Sequence, residues 1–421
     1  MSHSSFRILH TSDLHLGNSL HEHSRLEEYR KFLSWLKNTI EENEVDALLV
    51  SGDIFDTGTP SNAAEELYYS FLTSLNGTCC KNAIITAGNH DSPATLNSAR
   101  SVLELLNVHV VATPDAEHLF ANEIIVLPNA ENPRLIVCAA PYLRDPALQA
   151  SLSDAKCGSE EELVREGTKA HFEKLKTLAC EVREKSGRKL PIVAMAHLFA
   201  AGASPSENAD DSEYAIVGNL ENVNSNVFPP VFDYVALGHI HRPQKVGGEN
   251  RIRYSGSPLP MGFDEANRES VVLIVDFEEG KTPEIRQVGV PQFQKLHTIT
   301  GDDLTEIRQK IAKENKDSPG AWIRVRYTGS GSFGNLRQNL ANDFEGTSLV
   351  LLQAEYAGRV DNFHSVSEER ELSEFSPTEV FEKYLAEAES NQKSFDKDLK
   401  TRVEAAFQEV LKEVQEGKIE E

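Results

Sequence analysis

Apolar positions in this chain come in two rhythms, short β-branched runs and longer stretches at helical spacing, and the short runs end in similar polar residues. Phe6-Arg7-Ile8-Leu9-His10 reads as a strand that delivers Thr11-Ser12-Asp13-Leu14-His15. Residues 22 to 42 then carry Leu26, Tyr29, Phe32, Leu33, Leu36 and Ile40 at helical spacing, which predicts a helix packed on a sheet. Val45 to Val50 is a second strand, ending in Ser51-Gly52-Asp53-Ile54-Phe55-Asp56. A helix near Ala63 to Leu75 leads to the run Ala83-Ile84-Ile85, which releases Ala87-Gly88-Asn89-His90-Asp91-Ser92. Ser92 is a fitting N-cap and Pro93 a fitting first helical residue for a helix from Ala94 to Leu106.

The event recurs further on. Pro191 to Ala196 is a short apolar strand ending in His197, after a charged helix from about Glu160 to Lys185. Tyr234 to Leu237 ends in Gly238-His239-Ile240-His241, and a turn at Arg253 to Pro258 precedes the β-branched strand Ser270 to Phe277. Strands alternating with helices predict an α/β fold, and its polar strand ends are expected to meet at one sheet edge, where ligands of such sheets sit. The small and acidic residues from Ala201 to Asp211 are expected to form a mobile loop near that edge.

Beyond residue 290 the polar-ended strands stop. Leu304, Ile307 and Ile311 predict a helix over 302–314, and strands follow at Trp322 to Tyr327 and Ser348 to Tyr356, so 291–362 reads as a small α+β accessory domain after a main domain of 1–290. Arg324 and Arg326 share one face of their strand, either as contacts to a phosphate backbone or as a solvated face. Residues 363–421 read as C-terminal helices. Ser376-Pro377-Thr378-Glu379 is a capped helix start, and Phe395, Leu399, Val403, Phe407, Val410, Leu411 and Val414 form one apolar stripe. That stripe docks either on its own chain or on a partner.

Composition narrows the class. The 421 residues exceed one ordinary core. No apolar run nears the ~18 residues of a membrane span and the N-terminus carries no signal-peptide core, so a cytoplasmic location with no membrane contact is expected. Cys79, Cys80, Cys138, Cys157 and Cys180 are scattered and contain no CxxC, which suggests reduced thiols. A net charge of −24 argues against nucleic acid binding over the whole surface, yet screening within about 8 Å leaves room for a local site.

The strand ends supply Asp13 with His15, Asp53, Asn89 with His90, His197, and His239 with His241. Carboxylates and imidazoles without thiolates suit Mn²⁺, Fe²⁺ or Zn²⁺, and a pair of ions sharing one carboxylate fits this many ligands. Two divalent ions against Asp13 and Asp53 leave a positive surplus for which phosphate oxygens are natural guests.

Set in this order, D-x-H, G-D, G-N-H-D, H, G-H-x-H, the residues resemble the motif series of the calcineurin-like metallophosphoesterases. The resemblance is firm over the first two thirds of the chain, where Gly52 to Gly58, Ala236 to Arg242 and Tyr254 to Pro258 are similar to the branch of DNA nuclease subunits that work with an SMC-like coiled-coil ATPase of the SbcC type. It implies a β-sandwich flanked by helices, with a capping domain and C-terminal helices. It implies one ion on Asp13, His15, Asp53 and His241 and another on Asp53, Asn89, His197 and His239, with Mn²⁺ favoured. It further implies His90 facing the scissile phosphate, with Asp91 orienting it. The implied substrates are duplex DNA ends and hairpins, and the implied assembly is a homodimer within a heterotetramer, paired through helices near residues 61 to 106. The alternative on the same site is a phosphatase or small-molecule phosphodiesterase, and a scaffold without metals is a third reading. One departure is visible: the family usually has Gly where this chain has Ala196 before His197, a position Ala would strain if positive φ or close backbone approach were needed there.

Overall fold

The structure, a computed structural model, describes residues 5–152, 159–201, 223–329, 336–356 and 407. The chain divides into two units, Met1–Gly358 and Arg359–Glu421. The expected loop from 201 to 211 and the expected C-terminal helices lie outside the described residues, apart from Ala201 and Phe407.

Two six-stranded sheets form the body of the first unit. At the centre of the first sheet, Phe6–Thr11, Ala47–Ser51 and Asn82–Thr86 run parallel and Val108–Val111 closes one edge. Antiparallel Val271–Phe277 and Glu284–Gly289 complete the other side. In the second sheet, Leu135–Ala139, Ile192–His197 and Tyr234–Gly238 run parallel, with Glu249–Tyr254 beside the last. Both faces of the central strands are buried, as parallel sheets covered on both sides require.

Alternation decides which core each side chain joins. Leu48 and Val50 point to the helices Leu26–Glu42 and Asn62–Leu75, whereas Ala47 and Leu49 join Met195, Tyr234, Ala236 and Val275 between the sheets. Each such Leu or Val contributes ~1.5–3 kcal/mol on burial. The helix Glu160–Ser186 covers the far face of the second sheet through Phe172, Leu175 and Ala179. A third sheet of three parallel strands, Leu296–Gly301, Trp322–Tyr327 and Val350–Tyr356, carries the helices Leu304–Asp317 and Leu336–Phe344. None of the helices among the described residues is long and apolar enough to cross a membrane. The described cysteines, Cys79, Cys80, Cys138 and Cys180, are free thiols.

Several expectations need correction. The polar strand ends lie on two facing sheets, not at one edge: between the third and fourth ends the strands Val108–Val111, Ile124–Leu127 and Leu135–Ala139 carry the chain across. The helix expected over 22–42 begins at Leu26, because Ser19–Leu20 and His23–Ser24 pair as a hairpin whose turn holds His21 and Glu22 at positive φ. The helix expected over 94–106 breaks into Pro93–Asn97 and Arg100–Glu104, where the Ser98 hydroxyl bonds the Thr95 carbonyl at 2.7 Å and competes with the backbone. Arg324 is neither solvated nor a free cation. It is buried, and its guanidinium pairs with Asp264 at 2.8 Å.

Candidate metal centre

The loops after three strands of the first sheet meet those after two strands of the second. Backbone hydrogen bonds lock neighbouring loops together: Asp13 N donates to Gly52 O at 3.1 Å and His15 N to Asp53 O at 3.0 Å. Asp13, His15, Asp53 and His239 all hold positive φ, at 52°, 47°, 49° and 102°. Left-handed backbone is uncommon outside Gly, so four such residues in one place mark strain held by the surrounding fold. Three glycines of the site are required by close approach, among them Gly52 at φ 81°, where a Cβ would collide with the His197 ring. A Cβ on Gly88 would collide with the carboxylate and amide of Asp53, and one on Gly238 with the Ser51 carbonyl.

Ala196 brings no strain. It is absent from the positive-φ residues, and its methyl is buried in the core beneath the second sheet.

The donor atoms gather in two groups, Asp13 with His15 and His241, and Asp53 with His197 and His239; within each, one ligand atom per residue lies within 4.8 Å of the others. Asp53 reaches towards both: its Oδ2 stands 3.1 Å from His197 Nε2 and 3.7 Å from His15 Nε2. Asn89 Oδ1 lies 2.9 Å from His197 Nε2 and 3.1 Å from His239 Nδ1.

The tautomers follow from fixed acceptors. His197 Nδ1 faces the Ser51 carbonyl at 3.0 Å and so carries a hydrogen, which aims the Nε2 lone pair at two oxygens that are themselves acceptors. Acceptors facing one another in a buried place are repulsive unless a cation or a proton stands between them. Burial alone would lower the His197 pKa, but the Asp53 carboxylate outweighs it and pushes the value up to about 9. Asp53 shows the reciprocal effect: burial would raise it, yet His197 and His15 hold it well below the usual carboxylate range. His239, buried and beside His197, falls to about 4. This donor set, of hard oxygens and imidazole nitrogens in two groups sharing a carboxylate, fits a pair of divalent ions.

His90 and Asp91 have separate tasks. His90 Nδ1 donates to the Asp56 carbonyl at 3.0 Å and its amide to Asp53 Oδ1 at 3.0 Å. The Asp91 carboxylate accepts from the amides of Gly88 at 2.8 Å, Phe55 at 3.0 Å and Ile54 at 3.1 Å. It therefore ties two loops together, and the orienting contact on the His90 ring comes from a carbonyl. Burial, then the Asp53 charge, raises the pKa of Asp91.

Three neighbours were passed over in the sequence. Asp56 stands 3.4 Å from His15 Nδ1 through its carboxylate, besides orienting His90. Glu265 is buried 3.7 Å from His241 Nδ1, and His241 and Arg268 overcome the burial that would raise it, holding it at about 2. Arg144, at the end of Pro141-Tyr142-Leu143-Arg144, is exposed, with its guanidinium 3.4 Å from the carbonyls of Asn89 and Asp91 and 5.6 Å from the centre of the Tyr142 ring. A signal was present for two of them: Asp56 closes the polar stretch that follows Ala47–Ser51, and Arg144 follows yet another apolar run, Leu135–Ala139, at the same end of its strand.

Residues 6–243 match the family described as calcineurin-like phosphoesterase, and residues 292–389 match the type 5 capsule protein repressor C-terminal domain. Among curated proteins, the chain is 35% identical to SbcD, the nuclease subunit of SbcCD, from Escherichia coli K12, over 90% of this chain and 92% of that one. It is 36% identical to SbcD of Rhodobacter capsulatus, over 68% and 69%, and 34% identical to SbcD of Bacillus subtilis, over 75% and 78%.

Proposed function

We propose, from the premise that this chain belongs to the calcineurin-like phosphoesterase family and within it to the SbcD nuclease subunits, that it is a metal-dependent DNA nuclease subunit acting with an SbcC-type coiled-coil ATPase in DNA recombination, replication and repair. The observation that carries the reading is the convergence of His197 Nε2, Asn89 Oδ1 and Asp53 Oδ2 from three strands on two sheets, with no proton donor among those atoms other than one His197 would have to gain.

In this reading Asp13, His15, Asp53 and His241 hold one ion, Asp53, Asn89, His197 and His239 the other, and both are Mn²⁺. Bound there, the ions supply an activated water and stabilise the charge that builds on phosphorus. The protein's own part is positioning and proton transfer. His90, its ring set by the Asp56 carbonyl, presents Nε2 to the leaving oxygen and hands it a proton, while Asp91 keeps the two loops in register. Arg144 offers its guanidinium to a phosphate of the same strand, a local cation on a chain of net charge −24.

The partition is 1–290 for the nuclease domain, 291–362 for the capping domain and 363–421 for a segment that docks on the ATPase. The assembly is a homodimer within a heterotetramer, located in the cytoplasm. Val102 and Leu105, 62% and 83% exposed in the region of the paired helices, support the dimer.

The test is cleavage of linear duplex and hairpin DNA with Mn²⁺, the ATPase partner and ATP. DNA should be cut, and a chromogenic phosphodiester turned over faster than a monoester. Intact hairpins with rapid monoester turnover would favour a phosphatase instead.

A further inference from the structure

The short helix Phe263–Glu265 faces two parts of the molecule at once. On one side, Asp264 Oδ1 accepts from Arg324 Nη2 at 2.8 Å, and the Arg324 guanidinium lies 5.2 Å from the centre of the Phe263 ring. Arg324 Nε donates to Thr298 Oγ1 at 3.1 Å, so two neighbouring strands of the accessory sheet share this contact. Phe263 itself is buried with Leu20, Leu296 and Leu352. On the other side stands the next residue along the chain, Glu265. Its Oε2 accepts from Met261 N at 2.8 Å, and its Oε1 pairs with Arg268 at 3.0 Å and stands 3.7 Å from His241 Nδ1.

Adjacent residues are joined by a planar peptide, so a contact that fixes Asp264 also restricts where the Glu265 carboxylate can stand. A carboxylate beside a ligating imidazole sets the ring's orientation and basicity, and its loss typically weakens ion binding by ~10–100-fold. We propose that Arg324 and Asp264 are positioning residues that wire the accessory sheet to the ion site of Asp13, His15 and His241, acting through Glu265 on the His241 ring. A shift of the accessory sheet then changes divalent-ion affinity at that site and leaves the site of Asp53, His197 and His239 alone. The proposal rests on the two-ion reading.

Mn²⁺ titration by calorimetry, with electron paramagnetic resonance to follow bound ion, tests it on the full chain. Wild type should take up two ions. Glu265→Gln, Arg324→Gln and Asp264→Asn should each weaken one of the two by about tenfold or more and spare the other. Through-space electrostatics alone would move Arg324→Gln and Asp264→Asn in opposite directions, because one removes a positive and the other a negative charge. Arg326→Gln, on the same strand and half-exposed, should change neither site. If Arg324→Gln does not fold, Asp264→Asn carries the same test. Weakening by Glu265→Gln alone, or equal weakening of both ions alongside a lower melting temperature, overturns the coupling while the two-ion reading stands. Fewer than two ions in wild type overturns that reading and the coupling with it.

Discussion

Two buried clusters in this protein contain histidine and carboxylate, and they differ in how their donors and acceptors are matched. In the first, Ser151 Oγ lies 3.0 Å from His171 Nδ1 and donates to the Ala147 carbonyl, while His171 Nε2 lies 2.8 Å from Glu123 Oε2. All three side chains are buried, His171 on the helix that covers the second sheet, and one proton on each link completes these hydrogen bonds, with Glu123 Oε1 left without a partner. In the second, His197 Nε2 faces Asn89 Oδ1 and Asp53 Oδ2 with its only fixed hydrogen pointing away. The difference is one of convergence: the first cluster is a linear chain of links that leaves only Glu123 Oε1 over, whereas in the second several acceptors point at one place, where a cation or a proton must stand. A Ser, His and Glu in contact would otherwise invite a hydrolase reading, which their burial excludes.

The sharpest way to break this contrast is Asp53→Asn, which removes the charge both groups approach. Mn²⁺ uptake should fall to one ion or none and DNA cleavage to the background rate, measured by metal analysis of the purified variant and by a cleavage assay on linear duplex DNA. Next is His90→Ala, which should keep both ions and lower turnover by ~10²–10⁴-fold, the usual contribution of a proton-transfer group. Intact turnover there would remove His90 from the mechanism.

A smaller effect follows from pH. The His197 pKa is raised to about 9, so in the metal-free protein its proton stabilises the fold fully below the unfolded value near 6.5 and is lost as pH rises through 9. An ion must displace that proton, so affinity at this site should rise about tenfold from pH 7 to pH 8 and level off above 9, read by Mn²⁺ titration across that range. The Ser151, His171 and Glu123 cluster should give the opposite pattern. His171→Ala should cost about 2–3 kcal/mol of stability by denaturant unfolding, from the cavity and the unpaired Glu123, and leave Mn²⁺ affinity unchanged.

The candidate ligand residues were legible because each motif is local. D-x-H and G-H-x-H place two side chains on one loop after one strand, and an apolar run ending in Gly and a polar residue is visible without knowing where the strand lies. Glu265 and the Asp56 carbonyl were not legible, since one acts from a distant turn and the other through a backbone atom that any residue carries. Arg324 was misread because period-two alternation separates the faces of a strand without saying what covers each, and here Asp264 and Phe263 cover the polar one.

Residue types, their order and their position after apolar runs determined, without any fold in hand, the family of this chain and which side chains to consider as candidate ligands. The meeting of strand ends from two sheets, the left-handed backbone at Asp13, His15, Asp53 and His239, and the direction of each imidazole lone pair were decided only by tertiary structure. The physical reason is that hydrophobic periodicity reports burial along one element, whereas convergence and tautomer depend on acceptors such as the Ser51 carbonyl, 146 residues away from His197 along the chain.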